Sequence, residues 1–508
     1  MSNNQVVVVF VHGWSVTNTD TYGGLPQRLG AEAAAFGLQV HIENIRLGKY
    51  ISFHDEVKVT DIARAFDHAV SEQLAPLLKD GRRFVCITHS TGGPVIRKWW
   101  HNYYLEKKSG GTCPMSHLIM LAPANYGSAL AQLGKGRLSR LKFWFGGVEP
   151  GQGVLDWLEL GSEQAWELNT AWINSDTSQI ATRGVFPFVL TGQSIDRAFY
   201  DNLNSYTGEL GSDGVVRVAA ANLRARYIRL FQEKPVVDTS KKRVLRADKL
   251  ITDGFVEAPT TALRVMAAKS HSGGDMGIMR SVHIGGNDPG SKDTITAIFN
   301  CIQVKTKTQY AKLCTRFAEE TKIVQADEWV EREDKILKDR YFIHDRYCMV
   351  IFRVRDDRGL PVKDYDLVLT AGDSADPNRL PEGFCKDRQR NKLNRETITY
   401  FLNYNVMKGC KKVVYKSNGK VVRKALPGIR KLGLKIVPRP QSGFVHYLPC
   451  EIQACAELLE KALVPNGTTL IDIRLRRVVH ANVFDTEPVK KTGSTSFKNV
   501  KPSDQLVP

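Results

Sequence analysis

The chain has 508 residues, 42% of them hydrophobic, and 71 Lys and Arg against 53 Asp and Glu give it a formal net charge of +18. That length exceeds what one hydrophobic core organises, so two or more domains are expected, and no apolar run approaches the roughly 18 residues that would cross a bilayer as a helix. The nine cysteines carry no Cys-x-x-Cys pair and read as reduced packing residues; there is neither a His/Cys cluster for zinc nor a Gly-x-x-x-x-Gly-Lys phosphate loop.

Met1 to Gln5 lacks the basic region and cleavage site of a secretory leader, so cytoplasmic synthesis without a signal peptide is expected. Val6 to Val11 then forms a run apolar on both faces, as a central parallel strand requires, and ends in His12-Gly13-Trp14. A second such run, Phe84-Val85-Cys86-Ile87, leads into Thr88-His89-Ser90-Thr91-Gly92, after which Pro94 can open a helix. A serine on a sharp turn between a buried strand and a helix is a nucleophile elbow, in which small neighbours let strand and helix backbones approach closely. The usual pattern is Gly-x-Ser-x-Gly, and here Thr88 replaces the first glycine. The side chains of His12 and His89 are expected to order their own loops and not to transfer protons.

His117 to Ala122 reads as the next strand and ends in Pro123-Ala124-Asn125-Tyr126-Gly127-Ser128. The following stretch, about 129–180, is aromatic and basic at once and holds four of the chain's eight tryptophans. As an interfacial lid it would present Phe143, Trp144 and Phe145 to a membrane; as an ordinary cap it would bury its aromatics in its own core. Val185 to Leu190 gives another buried strand, and Gly211-Ser212-Asp213-Gly214-Val215-Val216 a turn carrying an acid. Thr261 to Ala268 is the last strand of this part, with Lys269-Ser270-His271-Ser272-Gly273 after it, so His271 lies on a loop at a strand's C-terminal end.

This order of strand, His-Gly, helix, strand, serine elbow, helix and strand resembles the α/β-hydrolase lipases and esterases over roughly residues 5 to 300. The resemblance implies a mostly parallel sheet with helices on both faces and catalytic residues in the chain order Ser, Asp, His. On it, Ser90 is the nucleophile, Asp213 the acid with Asp196 and Asp201 as alternatives, and His271 the base. His283 competes with His271, because Met276 to Val282 looks like the start of the helix that follows the base. The backbone N–H groups of Trp14 and Thr91 would form the oxyanion hole. No metal or organic cofactor is called for.

The charge is concentrated in the C-terminal part: residues 306–508 hold 38 Lys and Arg and 25 Asp and Glu, a net of +13. Lys408 to Arg439 contains eleven basic residues and no acidic one, among them Lys411, Lys412, Arg423 and Lys424. Each would add about 1 kcal/mol near an anionic bilayer. Nucleic acid would attract the same charges, but no base-stacking motif accompanies them, so a membrane surface is the expected partner. Glu328 to Lys335 reads as a charged helical stretch. Beyond it, Tyr347 to Arg355, Asp366 to Thr370, Thr397 to Leu402 and Leu470 to Leu475 read as strands of a β-sandwich over about 341–485, C2-like or immunoglobulin-like. The expected division is a catalytic domain over 1–305 with a cap at about 129–180, a helical linker over 306–340, and a basic β-rich domain over 341–508 ending in a loose tail.

These features imply a serine-dependent hydrolase of lipid acyl esters, foremost a phospholipase. The layout is similar to that of bacterial phospholipase effectors exported by type VI secretion, which adds export to a target-cell membrane and a secretion or immunity protein as expected partners. A soluble carboxylesterase or thioesterase, and a binding protein that keeps the fold without activity, are the alternatives.

Overall fold

The structure is a computed structural model and describes residues 5–12, 21–51, 56–106, 111–133, 151–195, 208–234, 236–238, 243–246, 249–327, 330–333 and 340–479. Its centre is a six-stranded, wholly parallel sheet in the order Ala262–Met266, Phe186–Gly192, Met115–Leu121, Phe84–His89, Gln5–His12, Gln39–Arg46. The inner strands are apolar at nearly every position because helices cover both faces of such a sheet. Helices Val59–Ala69 and Gly92–Trp100 pack together, with Phe66 edge-on to Trp99 and the Trp99 indole donating to Asp67 at 2.8 Å. Helix Pro289–Ile302 stacks Phe299 on Phe36.

A second six-stranded sheet runs in the order Cys385–Arg390, Thr397–Asn403, Tyr347–Asp356, Thr468–Leu475, Ala225–Gln232, Leu250–Glu257. Its alternating residues face two cores. Met349, Ile351, Phe401 and Leu470 join the core of the parallel sheet, whereas Val350, Phe352, Leu402 and Ile473 pack against a three-stranded antiparallel sheet, Tyr365–Ala371, Lys431–Pro438 and Cys450–Cys455. The C-terminal part is thus sandwich-like, but the strands Tyr347–Asp356, Thr468–Leu475 and Ala225–Gln232 pair in parallel, unlike the antiparallel sheets of an immunoglobulin-like domain.

The structure redraws the boundaries read from the sequence. Two strands from the N-terminal part, Ala225–Gln232 and Leu250–Glu257, belong to the C-terminal sheet, so a cut at 305 would leave that sheet without two of its strands. Nor is 306–340 a linker. Helix Lys307–Asp327 packs on strand Ala262–Met266, where the Tyr310 hydroxyl donates to the Pro187 carbonyl at 2.6 Å and Phe317 is wholly buried. In the stretch read as helical from Glu328, Val330–Glu333 is a strand paired with Arg340–Ile343, because their cross-strand pairing outweighs the helical preference of the charged residues.

In the cap, Trp157, Trp166 and Trp172 are buried, Trp172 beside Trp100 of the elbow helix, so these rings serve as core. Phe143, Trp144 and Phe145 lie outside the described residues, as do the C-terminal tail and the alternative acids Asp196 and Asp201.

Candidate active site

Ser90 sits at the end of the central strand Phe84–His89 with φ +52°, a left-handed backbone that non-glycine residues rarely adopt. The turn is fixed from outside: the Ser90 N–H donates to Leu121 O at 3.0 Å, and Ser90 O accepts from Gly93 N and Ala124 N, each at 3.2 Å. A side chain at position 93 would place its Cβ 2.7 Å from Pro123 Cβ, so glycine is required there. The threonine that stands in for the usual first glycine is accommodated by Gly92: a Cβ at 92 would lie 3.1 Å from Thr88 Cβ. Thr88 is fully buried, and its hydroxyl finds no partner in this packing.

His271 follows strand Ala262–Met266, and its side chain is buried. Its Nε2 lies 3.0 Å from Ser90 Oγ and its Nδ1 3.0 Å from Asp213 Oδ2, and its backbone N–H donates to Asp213 O at 2.9 Å. Asp213 is 0% exposed. Its other oxygen, Oδ1, accepts from Val215 N at 3.1 Å and Val216 N at 2.8 Å, so both carboxylate oxygens are engaged and its rotamer is fixed. Of the sequence candidates, the structure therefore brings together Ser90, His271 and Asp213. His283 is solvent-exposed, and the helix expected from Met276 begins only at Pro289; the segment between is turn and bend.

Two further histidines end the strands beside this arrangement. The His89 ring packs on His271 with centroids 4.6 Å apart, and its Nε2–H donates to the His271 carbonyl at 3.1 Å. Burial, followed by the nearby His271, pushes its pKa well below the ordinary histidine value, so His89 stays neutral. His12 closes strand Gln5–His12 through Asn44 Oδ1 at 2.8 Å and an edge contact with Tyr22, and burial lowers its pKa too. Thr91 precedes helix Gly92–Trp100, at its positive end, where a backbone N–H is favourably placed for an oxyanion. Trp14 lies outside the described residues.

Sequence reasoning missed several residues that hold the site. Arg97 of the elbow helix is buried and donates to Asn125 at 3.1 Å and Asn169 at 3.0 Å, tying the loop after strand Met115–Leu121 to the cap; burial lowers its pKa to about 10. Arg217, four residues after Asp213, is bidentate to Glu209 at 2.7 and 2.8 Å, reaches Asp387 of the second sheet, and covers the Phe401 ring at 4.2 Å. A lone arginine inside an apolar helix or next to the acid turn was the visible signal, but apart from Glu209, eight positions before Arg217, the partners lie 28 to 170 positions away.

The basic run is only partly free. Arg423, expected at a membrane, is instead paired with buried Asp345 at 2.5 Å, and Lys431 and Arg439 are bound to acidic neighbours. Lys411, Lys412 and Lys424 are exposed, on and beside a small hairpin of Val413–Val414 and Val421–Arg423, whose Val414 and Val421 are also exposed.

No protein-family model matches the chain, and no curated protein matches it. Among solved structures, phospholipase PlaB from Legionella pneumophila is 42% identical, covering 97% of this chain and 98% of its own, with a TM-score of 0.82. The same phospholipase in complex with thio-NAD aligns with a TM-score of 0.81 at the same identity and coverage. The mature lipase BlEst2 of Bacillus licheniformis is 17% identical over 44% of this chain and 80% of that one, with a TM-score of 0.30. With that identity to PlaB over nearly its whole length, the chain belongs to the PlaB phospholipase family, built on an α/β-hydrolase core with a mainly β C-terminal part.

Proposed function

We propose that this protein hydrolyses acyl ester bonds of phospholipids with Ser90 as nucleophile, His271 as general base and Asp213 as the orienting acid. The observation that carries the proposal is the continuous hydrogen-bonded series from Asp213 through His271 to Ser90 on a strained elbow. Ser90 Oγ attacks the ester carbonyl as His271 Nε2 takes its proton; Asp213 accepts from Nδ1–H, holds that tautomer and stabilises the imidazolium. The Thr91 N–H, at the helix end, and that of Trp14 stabilise the oxyanion. His271 then protonates the departing alcohol, and water activated by the same imidazole releases the fatty acid.

The identity to PlaB supports a phospholipid substrate over a small soluble ester. The exposed Val414 and Val421, flanked by Lys411, Lys412 and Lys424, support contact with an anionic bilayer. Fatty-acid release from mixed phospholipid vesicles by wild type and Ser90→Ala, with a soluble short-chain ester in parallel, tests this reading. Release from vesicles that vanishes in the variant is expected; hydrolysis confined to the soluble ester would replace the phospholipase with a carboxylesterase, and silence on both would leave a binding protein.

Two finer parts of the proposal have separate tests. Export by a type VI apparatus to a target membrane, with an immunity protein in the producing cell, is supported by layout alone. Expression directed to the periplasm or the cytoplasm of a bacterial host, scored for lysis, tests where the enzyme is harmful. Because PlaB forms a complex with thio-NAD, a nicotinamide dinucleotide is the second ligand class proposed here, tested by calorimetric titration of the full chain.

A further inference from the structure

A cavity of about 320 Å³ lies between the two sheets of the C-terminal part, away from Ser90. Two apolar rows face each other across it: Phe255, Ile228, Ile471 and Phe352 are register neighbours on the six-stranded sheet, and Leu369, Leu434 and Ile452 on the three-stranded one. Leu459, Ala462 and Leu463, in and just after the short helix Ala456–Ala462, close one side. Of the lining residues only Thr252 and Lys461 are polar.

This composition excludes most ligands. A nucleotide, sugar or peptide backbone would leave its polar groups unpaired against these walls, which costs far more than their burial returns. Water is equally poorly served, because an ordered water needs two to four polar partners. A single hydrocarbon chain matches both the volume and the chemistry of the walls, and a volume of about 320 Å³ is too small for the two chains of a diacyl lipid. Among the described residues, Lys461 is the one charged residue that lines the cavity. Phe255, 42% exposed, and Lys461, also exposed, lie where the lining reaches solvent, so a chain inserted tail-first would leave an anionic head beside the ammonium group.

We infer that the interface between these two sheets is a second lipid site, which takes one acyl chain with its anionic end at Lys461. The inference rests on the phospholipase reading only for the supply of such chains: free fatty acid is the product of that reaction, and a lysophospholipid its partner product. Both sources share the same chain chemistry.

The test is direct binding to the full-length protein after an alkyl fluorophosphonate has phosphonylated Ser90 Oγ with loss of fluoride, so that neither turnover nor the active site contributes. Saturated fatty acids of eight to eighteen carbons are titrated as competitors of a fluorescent polyene fatty acid, below their critical micelle concentrations. One site per chain is expected, with affinity rising about fourfold per added methylene and then levelling once the chain outgrows the cavity. Ala454→Trp and Ala462→Phe, which fill the cavity from its two sides, should each weaken binding at least tenfold, and Lys461→Glu should weaken fatty acid binding but not that of a zwitterionic lysophospholipid. Equal binding of both ligands by wild-type Lys461 would assign the site to lysophospholipid and fatty acid alike, whereas a preference for the carboxylate would assign it to the released product. Either supports an acyl-chain site. Binding that is absent at every chain length, or that survives both filling variants while they retain native near-UV circular dichroism, would overturn it. Vesicle hydrolysis by the unblocked protein is measured separately, so failure here is distinct from failure of the phospholipase proposal.

Discussion

Arg217, in the loop that carries Asp213, is salt-bridged to Asp387 on the edge strand of the C-terminal sheet. The same guanidinium holds Glu209, and Ser212 bridges to Arg217 across the turn, so the acid of the proposed triad is anchored in part to the second domain. Arg217→Met would leave two carboxylates enclosed without their cation, a loss of about 3–5 kcal/mol in stability. Because the turn also sets the place of Asp213, kcat on vesicles should fall, by up to about 100-fold if the carboxylate moves by an ångström. Asp387→Asn retains a hydrogen-bond acceptor and the Glu209 pair, so a cost nearer 1 kcal/mol is expected. Urea denaturation and kcat for both variants check this; loss of stability with unchanged kcat would confine Arg217 to structure.

Ser90→Ala should lower kcat by about six orders of magnitude and His271→Ala comparably, with thermal midpoints close to wild type. Asp213→Asn should cost on the order of 10⁴, because an amide can present a donor to Nδ1 and hold the wrong tautomer. If His283→Ala proved as damaging as His271→Ala, the base would have to be reassigned.

The geometry of the elbow predicts a coupled pair. Gly92→Ala alone brings a methyl group to 3.1 Å from Thr88 Cβ and should impair folding and activity together. Thr88→Gly removes that contact, so Thr88→Gly with Gly92→Ala should recover part of the loss, a positive coupling in a double-mutant cycle. Gly93→Ala has no such remedy, since its obstacle is the Cβ of Pro123 at 2.7 Å.

Stability should fall on acidification through neutral histidines. Burial lowers the pKa of His117 to about 4, while its Nε2–H donates to Val304 O at 2.8 Å, and His89 is lowered in the same direction by burial and by His271. Below pH 6.5 the unfolded chain binds protons that the folded one excludes, so stability is full above that pH and is lost as pH falls towards 4. Each histidine contributes a slope of about 1.4 kcal/mol per pH unit in that window. Urea titrations at pH 7.5, 6 and 5 measure it, and His117→Phe should flatten the dependence by one proton. Equal stability across the series would contradict the neutral assignment.

Neutralising Lys411, Lys412 and Lys424 to Gln should weaken binding to anionic vesicles by on the order of 100-fold at low salt, at about 1 kcal/mol for each residue. Hydrolysis of a soluble ester should be unchanged. An undiminished affinity, or one that does not fall with salt in the wild type, would place the membrane contact elsewhere.

The sequence by itself determined the catalytic half to a large extent. Runs such as Val6 to Val11 and Phe84 to Ile87 are apolar on both faces because a central parallel strand has no solvent side, and the Ser90 turn is recognisable because close backbone approach demands Gly92 and Gly93. These are local constraints, written within a few residues. What joins distant segments was decided by tertiary structure: that His271 and not His283 reaches Ser90, that Arg217 meets Asp387 across 170 positions, and that Arg423 neutralises Asp345 instead of facing a membrane. The same holds for strand Ala225–Gln232, whose place between Thr468–Leu475 and Leu250–Glu257 makes one body of two expected domains. A strand's pattern reports how its faces are buried but not which ladder will accept its backbone, and an ionisable side chain carries no local mark of the partner that will satisfy it.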